Sequence, residues 1–201
     1  MSGPRRYSDS GQVFPIYITV VGGLLFLALA YFAVGQATVN RSGAQTAADA
    51  AALAAAQDLR DELAGQWVTD LLDPTKWGPI FAGAGTAPGA CARAGQLAGQ
   101  NDAVLKGCLP TSHGVGYDIV VQTRETMGRS VVPITAHKRS KASATAVVQP
   151  LCHFQLPGTG TGTGGVLPEL FCDNQKTWNP DPQNPTSLPG PADLFDVHLA
   201  D

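Results

Sequence analysis

The sequence has few charged residues, and one long stretch carries no charge at all. Only 14% of the 201 residues are Asp, Glu, Lys or Arg, and the net charge is −3. Residues 10–40 contain no charged side chain. The chain also has no block of basic residues, so it has no electrostatic footprint for nucleic acid. We therefore expect no nucleic-acid partner.

No proline lies between Pro15 and Pro74, so nothing interrupts a helix there. Nine of the thirteen residues 44–56 are alanine, which has the highest helix propensity. Small side chains also let a second helix approach closely. We predict a helix-packing seam, with a solvated spacer helix as the alternative. The predicted seam residues are Gly22, Gly23, Ala47, Ala51, Ala54 and Ala55.

The most apolar segment, residues 13–34, has the length of a membrane span. Its 22 residues would form a helix of about 33 Å, close to the ~30 Å hydrocarbon core of a bilayer. We predict a transmembrane helix over 13–36 that continues as an Ala-rich extracytoplasmic helix over 37–72. Arg5 and Arg6 precede the span, so the positive-inside rule predicts that residues 1–12 are cytoplasmic and that the rest of the chain lies outside.

Two other interpretations of this segment stay open. The triplet Ala28-Leu29-Ala30 fits a signal-peptidase site, which would make the segment a cleaved secretory signal. A buried core helix is the other alternative, although a segment with no polar face favours a span.

All four cysteines follow the span, which is typical of a disulfide-bonded domain outside the cytoplasm. Three pairings are formally available. We favour Cys91 with Cys108 and Cys152 with Cys172, because each pair closes a short loop. Free buried thiols are the alternative. Zinc is disfavoured because no C-x2-C motif occurs and the histidines are scattered, so we expect no metal and no cofactor.

The rest of the sequence predicts a small α+β domain over 73–150. Apolar residues at helical spacing indicate a short helix over 89–101, and β-branched runs indicate antiparallel strands over 116–125, 129–138 and 143–150. We expect Trp67, Trp77 and Phe81 to cap its small core. Eight of the fifteen prolines lie from Pro150 onward, so we predict a flexible Pro/Gly/Thr-rich tail over 151–201.

Three features of the N-terminal region carry a resemblance to a known family. They are Gly11-Gln12 before the span, Arg41 after it, and the run "QTAADAAALAAA" at residues 45–56. Together they resemble the N-terminal region of TadE/TadG-like proteins of the Flp (Tad) pilus assembly system. The spacing of Cys91, Ala94, Ala98, Asn101, Ala103, Leu105 and Cys108 also resembles actinobacterial members of that group.

The resemblance implies a single-pass protein of the cell membrane that takes part in pilus biogenesis. It would be an assembly factor or a minor pilin-like component, with the membrane and other pilus assembly proteins or pilin-like subunits as partners. In processed members a peptidase cuts after a glycine, which corresponds here to the Gly11-Gln12 bond. That cut would put Ile16 where such members have a glutamate, and its absence favours an unprocessed, TadG-like mode.

Catalysis finds little support in the sequence. Ser112, His113 and Asp118 suggest a hydrolase triad, but no nucleophile elbow accompanies them. The "GTGTGTGG" run lacks the lysine of a phosphate-binding loop. We therefore expect no catalytic residues and no enzyme activity. The functional alternative to a pilus component is a membrane-tethered extracytoplasmic binding module or, if the signal is cleaved, a secreted protein.

Overall fold

A computed structural model describes residues 13–126, 138–156, 167–173 and 175–200. Its first element is the helix α1, Val13–Thr69, whose 57 residues correspond to about 86 Å. The helix ends just before a turn at residues 70–72, and Pro74 then keeps Asp73 out of helical conformation. The predicted continuation of the apolar helix into the Ala-rich helix is confirmed.

Two further helices lie between α1 and the first strand. A short 3-10 turn, Pro74–Lys76, follows α1 and leads into α2, which spans Trp77–Phe81. Helix α3 spans Ala90–Gln100. Helix α3 was predicted over 89–101. It buries Ala90, Ala94 and Ala98, which share one face because they are four residues apart, and it packs beside α1.

Seven strands lie in the described residues and form two antiparallel sheets. Their bounds are β1 Ala103–Pro110, β2 Gly116–Thr123, β3 Lys141–Pro150, β4 Cys152–Phe154, β5 Leu170–Cys172, β6 Thr177–Trp178 and β7 Phe195–Leu199. The main sheet has the order β1-β2-β3-β7, and the small sheet has the order β4-β5-β6. A four-residue helix, α4 (Pro191–Leu194), leads into β7.

The main sheet contains two of the predicted strands. The predictions for 116–125 and 143–150 correspond to β2 and β3. The strand predicted over 129–138 falls outside the described residues, apart from Lys138. Strand β1 was not predicted. Its apolar positions do not alternate regularly, because the pairing of β1 with β2 shifts register between Leu105 and Gly107.

The C-terminal part of α1 lies across the inner face of the main sheet, with α3 beside it. From Ala44 onward, the buried side of α1 is mainly alanine. Strand β3 contributes Ala142, Ala144 and Ala146 to the same core. Because alanines are present on both elements, the helix and the sheet can approach closely, and the layer between them is thin. We call α1 from Ala44 onward, together with all later elements, the head.

The core thickens towards the end of the head that is far from the apolar part of α1. Trp67 contacts Trp77 with ring centroids 5.5 Å apart, and Phe154 lies 5.3 Å from Trp77. Phe81 lies 5.3 Å from Phe195. Trp67 and Trp77 are fully buried, so the predicted capping of the core by aromatic residues is confirmed. We call this the distal end of the head, and the end from which the apolar part of α1 emerges the basal end.

The C-terminal region differs from the predicted flexible tail. In the described part of 151–200, β7 pairs with β3, with Val148 opposite Val197, and so completes the main sheet. The physical reason is that Phe195, Val197 and Leu199 alternate with polar residues, which supplies an apolar face despite the nearby prolines. The prediction of a flexible tail is therefore corrected. The run "GTGTGTGG" lies outside the described residues.

The α+β fold class, with an apolar N-terminal helix, antiparallel sheets and two disulfides, is confirmed. The disulfides join the pairs that the sequence favoured. Cys91 of α3 is bonded to Cys108 of β1, and Cys152 of β4 is bonded to Cys172 of β5. The first bond fixes α3 to the main sheet. The second lies within the small sheet, where Cys152 and Cys172 are paired across neighbouring strands.

Candidate functional site: the exposed apolar helix and its junction with the head

The N-terminal third of α1 is apolar and exposed. Residues 14–32 form a helix segment that is long and apolar enough to cross a membrane, and none of it is buried. Phe26 is 71% exposed and Tyr31 is 84% exposed. Exposing this apolar surface to water would be strongly unfavourable, because each Å² of apolar area costs about 25 cal/mol of free energy. The alternative of a buried core helix is contradicted by this exposure.

The hydroxyl of Thr19, inside this segment, is satisfied locally. The hydroxyl of Thr19 donates to the carbonyl oxygens of Pro15 and Ile16, at 3.0 and 2.9 Å. Pro15 lies in the first turn of α1, where a backbone N–H has no partner within the helix. Thr19 can therefore enter a hydrocarbon environment with its hydroxyl paired, while Tyr17 and Tyr31 lie near the two ends of the segment, where amphipathic rings favour the headgroup level.

Gly22 and Gly23 form a small depression on the exposed apolar helix. A methyl group added to either residue would meet no other atom within 4 Å. The depression is thus open, and its small residues permit close approach of another helix. A role in packing stays a prediction for these two residues.

The alanine part of the predicted seam lies inside the head. Ala47, Ala51 and Ala55 are fully buried, and Ala54 is 5% exposed. They belong to the core that α1 forms with α3 and the main sheet. The small residues of the predicted seam thus do allow close packing, but the neighbours are α3 and the main sheet of the same chain, so these alanines are not open to a helix of another protein.

The apolar helix joins the head at a shallow groove. Ser42, Gly43 and Thr46 of α1 line it on one side, and Asn101 and Asp102 line it on the other. Gln45 further attaches this turn of α1 to the sheet, since its side-chain amide donates to the carbonyl oxygen of Ser143 at 3.3 Å. The α1 helix therefore enters the core without an intervening linker.

Charge is distributed unevenly along the head. Exposed cations lie at the basal end, on α1 and near the ends of β2 and β3: Arg41, Arg124, Lys138, Arg139 and Lys141. This cluster is not apparent in the sequence, because its members are spread over a hundred residues. The run "KRSK" at residues 138–141 was the one local signal.

The distal end of α1 and the residues after it are mainly acidic. The carboxylates there are Asp58, Asp61, Glu62, Asp70 and Asp73. Two cations lie among them, and both are paired: Arg60 with Asp61 at 2.8 Å, and Lys76 with Asp70 at 2.7 Å. The hydrogen bond from Lys76 to Asp70, together with the charge of Asp70, raises the pKa of Lys76.

The residues considered for catalysis are not joined into a triad. Asp118 accepts a hydrogen bond from Thr145 at 2.6 Å, and the backbone N–H of His113 donates to Thr111. Within the described residues, no hydrogen bond links Ser112, His113 and Asp118, and no group of three or more His, Cys, Asp or Glu residues could hold a metal ion. No catalytic constellation is therefore described.

A cavity of about 290 Å³ lies at the distal end, between α1 and the loops beside β2. Its lining includes Leu59, Tyr117 and the backbone around Gly83 and Gly114. Tyr117 is 9% exposed, and its hydroxyl donates to the carbonyl oxygen of Ala87 at 3.4 Å. Burial raises the pKa of Tyr117, and the negative charge of Asp58 acts in the same direction.

Together, these features define a class of protein: one whose exposed apolar helix is also the core helix of a disulfide-bonded α+β head. The comparison with protein families agrees with this description. Residues 11–58 match the family described as "Putative Flp pilus-assembly TadE/G-like". The matched segment contains the apolar helix and the alanine tract, so the predicted resemblance is confirmed over these residues. No curated protein and no solved structure matches the chain.

The match begins at Gly11, one residue before Gln12, but both lie outside the described residues. Processing at this bond therefore stays a prediction.

Proposed function

We propose that the protein is a membrane-anchored assembly factor or minor pilin-like component of a Tad/Flp-type pilus system. The observation that carries the proposal is the dual use of α1. Its residues 14–32 are exposed and apolar, whereas its alanines from Ala44 onward form the core of the head. The family match covers both parts of the helix and ends at Asp58.

The proposed orientation places the N-terminus in the cytoplasm and the head outside. Arg5 and Arg6 precede the apolar segment and favour this direction by the positive-inside rule. Two disulfides in the head support an oxidising compartment, because cytosolic thiols are normally kept reduced.

In this proposal, α1 couples events in the membrane to the head. A helix without a linker transmits tilt and displacement directly, since the same hydrogen-bonded element continues from the bilayer into the core. Gly22 and Gly23 would be the contact point for a helix of another pilus component, because they form the open depression in the apolar segment. The head would then be held at a defined height outside the membrane.

Anchoring is tested by placing a charge in the middle of the apolar segment. Leu24 is 63% exposed, and Leu24→Arg costs about 2.5–3.5 kcal/mol of insertion free energy at a helix centre. We expect the variant to shift from the carbonate-resistant membrane fraction to the soluble fraction. Gln57→Arg, on an exposed position of α1 within the head, is the control and should stay membrane-bound. Equal fractionation of all three proteins would refute the anchor.

The pilus role is tested with Gly22→Leu/Gly23→Leu in cells that assemble the fibres. Filling the depression should block close helix approach and reduce the number of surface fibres seen by electron microscopy. Ala28→Leu, about half a turn away around the helix, is the matched control. If both variants assemble fibres normally while deletion of the protein also has no effect, a membrane-tethered binding module becomes the better explanation.

A further inference from the structure

The basal end of the head, together with Arg41 on the turn of α1 just before it, presents a group of cations to the adjacent surface. Arg41, Arg124, Lys138, Arg139 and Lys141 are all exposed. Within the described part of the chain, no ion pair involves any of the five. Their charges are thus available to an external anionic partner.

The strand register brings these residues to one end. Thr123 is opposite Ala103, and Gln122 is opposite Lys141, so the end of β2 and the starts of β1 and β3 coincide. The backbone N–H of Arg124 donates to the carbonyl oxygen of Asp102 at 2.8 Å. Asp102 in turn lines the groove where α1 leaves the head. The cations therefore surround the exit of the apolar helix.

Few carboxylates oppose these cations. Asp102 and Glu125 are exposed at the basal end, and Asp49 lies about two turns further into the head than Arg41, where it accepts a hydrogen bond from Gln45. The remaining acidic residues of α1 lie at the distal end. The head therefore has a positive basal surface although the chain as a whole carries a net charge of −3.

Helix geometry sets the height of this surface above the membrane. From Phe32, at the end of the apolar segment, to Gly43, at the groove, α1 rises by about 16 Å. The headgroup layer of one leaflet occupies roughly 5–8 Å of that rise. The remaining gap of about 10 Å is similar to the Debye length of about 8 Å at physiological salt, and Lys and Arg side chains reach into it. An ordinary tilt of about 20° would bring the β2 and β3 side closer still.

We propose that the basal cations bind the anionic headgroups of phospholipids around the exit of α1, and so orient the head on the membrane surface. The proposal rests on the membrane anchor described above. Each Lys or Arg near an anionic surface contributes about a fivefold increase in affinity, so four or five cations outweigh the two nearby carboxylates. The interaction weakens as salt rises, because exposed charges are screened.

The test uses the full chain in lipid nanodiscs of two compositions, phosphatidylcholine alone and equal parts phosphatidylcholine and phosphatidylglycerol. The measurement is hydrogen–deuterium exchange of residues 124–126 and 138–139 at low and high salt. We expect exchange to be about fivefold slower or more in the discs with phosphatidylglycerol at low salt. High salt should remove the difference.

Two matched variants locate the effect. The first variant neutralises the basal end and should abolish the difference in exchange between the two lipid compositions. It carries Arg124→Gln/Lys138→Gln/Arg139→Gln/Lys141→Gln. The control removes the same number of charges elsewhere in the head, by Arg60→Gln/Lys76→Gln/Arg93→Gln/Lys176→Gln, and should retain it. Size-exclusion chromatography of the discs reports whether each protein is inserted.

The outcomes separate the two proposals. If the protein inserts into both kinds of disc and exchange at the basal end does not depend on phosphatidylglycerol, lipid binding is refuted while the anchor stands. Slowing that persists at high salt or in the neutralised variant also refutes it, because the contact would then not be electrostatic. If the chain inserts into neither disc, the anchor itself fails, and lipid binding at the exit of α1 fails with it.

Discussion

Asp58 of α1 lies directly against Gly89, the residue before the first turn of α3. A methyl group on Gly89 would approach Oδ2 of Asp58 to 2.8 Å, which is closer than carbon and oxygen normally come. The carboxylate faces the N-terminal end of α3, where the helix dipole and free backbone N–H groups favour a negative charge. The start of α3 therefore lies in close contact with Asp58 of α1.

Gly89→Ala should lower the stability of the head. The methyl group displaces Asp58, and we expect a loss of about 1 kcal/mol in the free energy of unfolding. Urea unfolding of the full chain in detergent micelles measures the change. Gly65→Ala is the control, because Gly65 is within α1 with no atom near its added methyl group. That change should stabilise the protein by about 0.5–1 kcal/mol. Equal effects of the two substitutions would contradict the contact.

Gly116→Ala should be more harmful, because the obstacle is backbone. Gly116 lies on β2 opposite Val147, and its added methyl group would come 2.8 Å from Cα of Val147 and would clash with the carbonyl oxygen of Ala146. We expect a loss of about 3 kcal/mol or more, since neither atom can rotate away. In Gly107→Ala, the new methyl group would meet only the Val120 side chain at 3.4 Å. Unfolding experiments should show this control within about 1 kcal/mol of wild type.

Ala51→Leu tests whether the head covers the alanine tract. Ala51 is fully buried, so a larger side chain must push α1 away from its neighbours. The expected loss is about 1–3 kcal/mol in the free energy of unfolding. Gln57→Leu places the same side chain on an exposed position of α1 and should have little effect. A tolerated Ala51→Leu would show that this surface is free in solution and open to another helix, as the sequence suggested.

The stability of the head should fall at high pH because of Tyr117. Burial, reinforced by Asp58, raises its pKa in the folded state above the ordinary value of about 10. The folded state thus favours the protonated phenol. The contribution of Tyr117 to the free energy of unfolding is complete below about pH 10, and it is lost as the pH rises through the pKa of the folded state.

Tyr117→Phe should reduce this pH dependence, as measured by urea unfolding between pH 8 and pH 11 or so. Tyr31→Phe is the control, because Tyr31 lies on the exposed apolar helix outside the head. An unchanged slope in Tyr117→Phe would assign the dependence to other groups.

Some elements could be predicted from local sequence because local physics forms them. Helix α3 has alanines four residues apart, and β2 is rich in β-branched residues. Strand β7 was missed although Phe195, Val197 and Leu199 alternate, because the surrounding prolines and glycines suggested a tail. A five-residue strand is a weak signal by itself, and its place in the sheet depends on pairing with β3, which is distant in sequence.

The alanine tract shows the limit of such predictions for the candidate site. A row of small residues indicates that something packs closely, but it does not identify the partner. Here the partner of Ala47 and Ala51 is the chain's own head, whereas Gly22 and Gly23 stay uncovered. Which of these small residues are available to another protein depends on where α3 and β3 fold back.

The sequence by itself determined the long helix and its apolar segment, and it favoured the disulfide pairs that the structure contains. Those features follow from residue composition and from short-range spacing, which act within a few turns or one loop. Only the tertiary structure decided what covers the alanines and where the charges lie. Arg124 and Lys141 reach the exit of α1 through the register of β2 and β3. That register is set by the burial of one sheet face against α1, because a shift of one residue would turn the apolar side chains towards solvent.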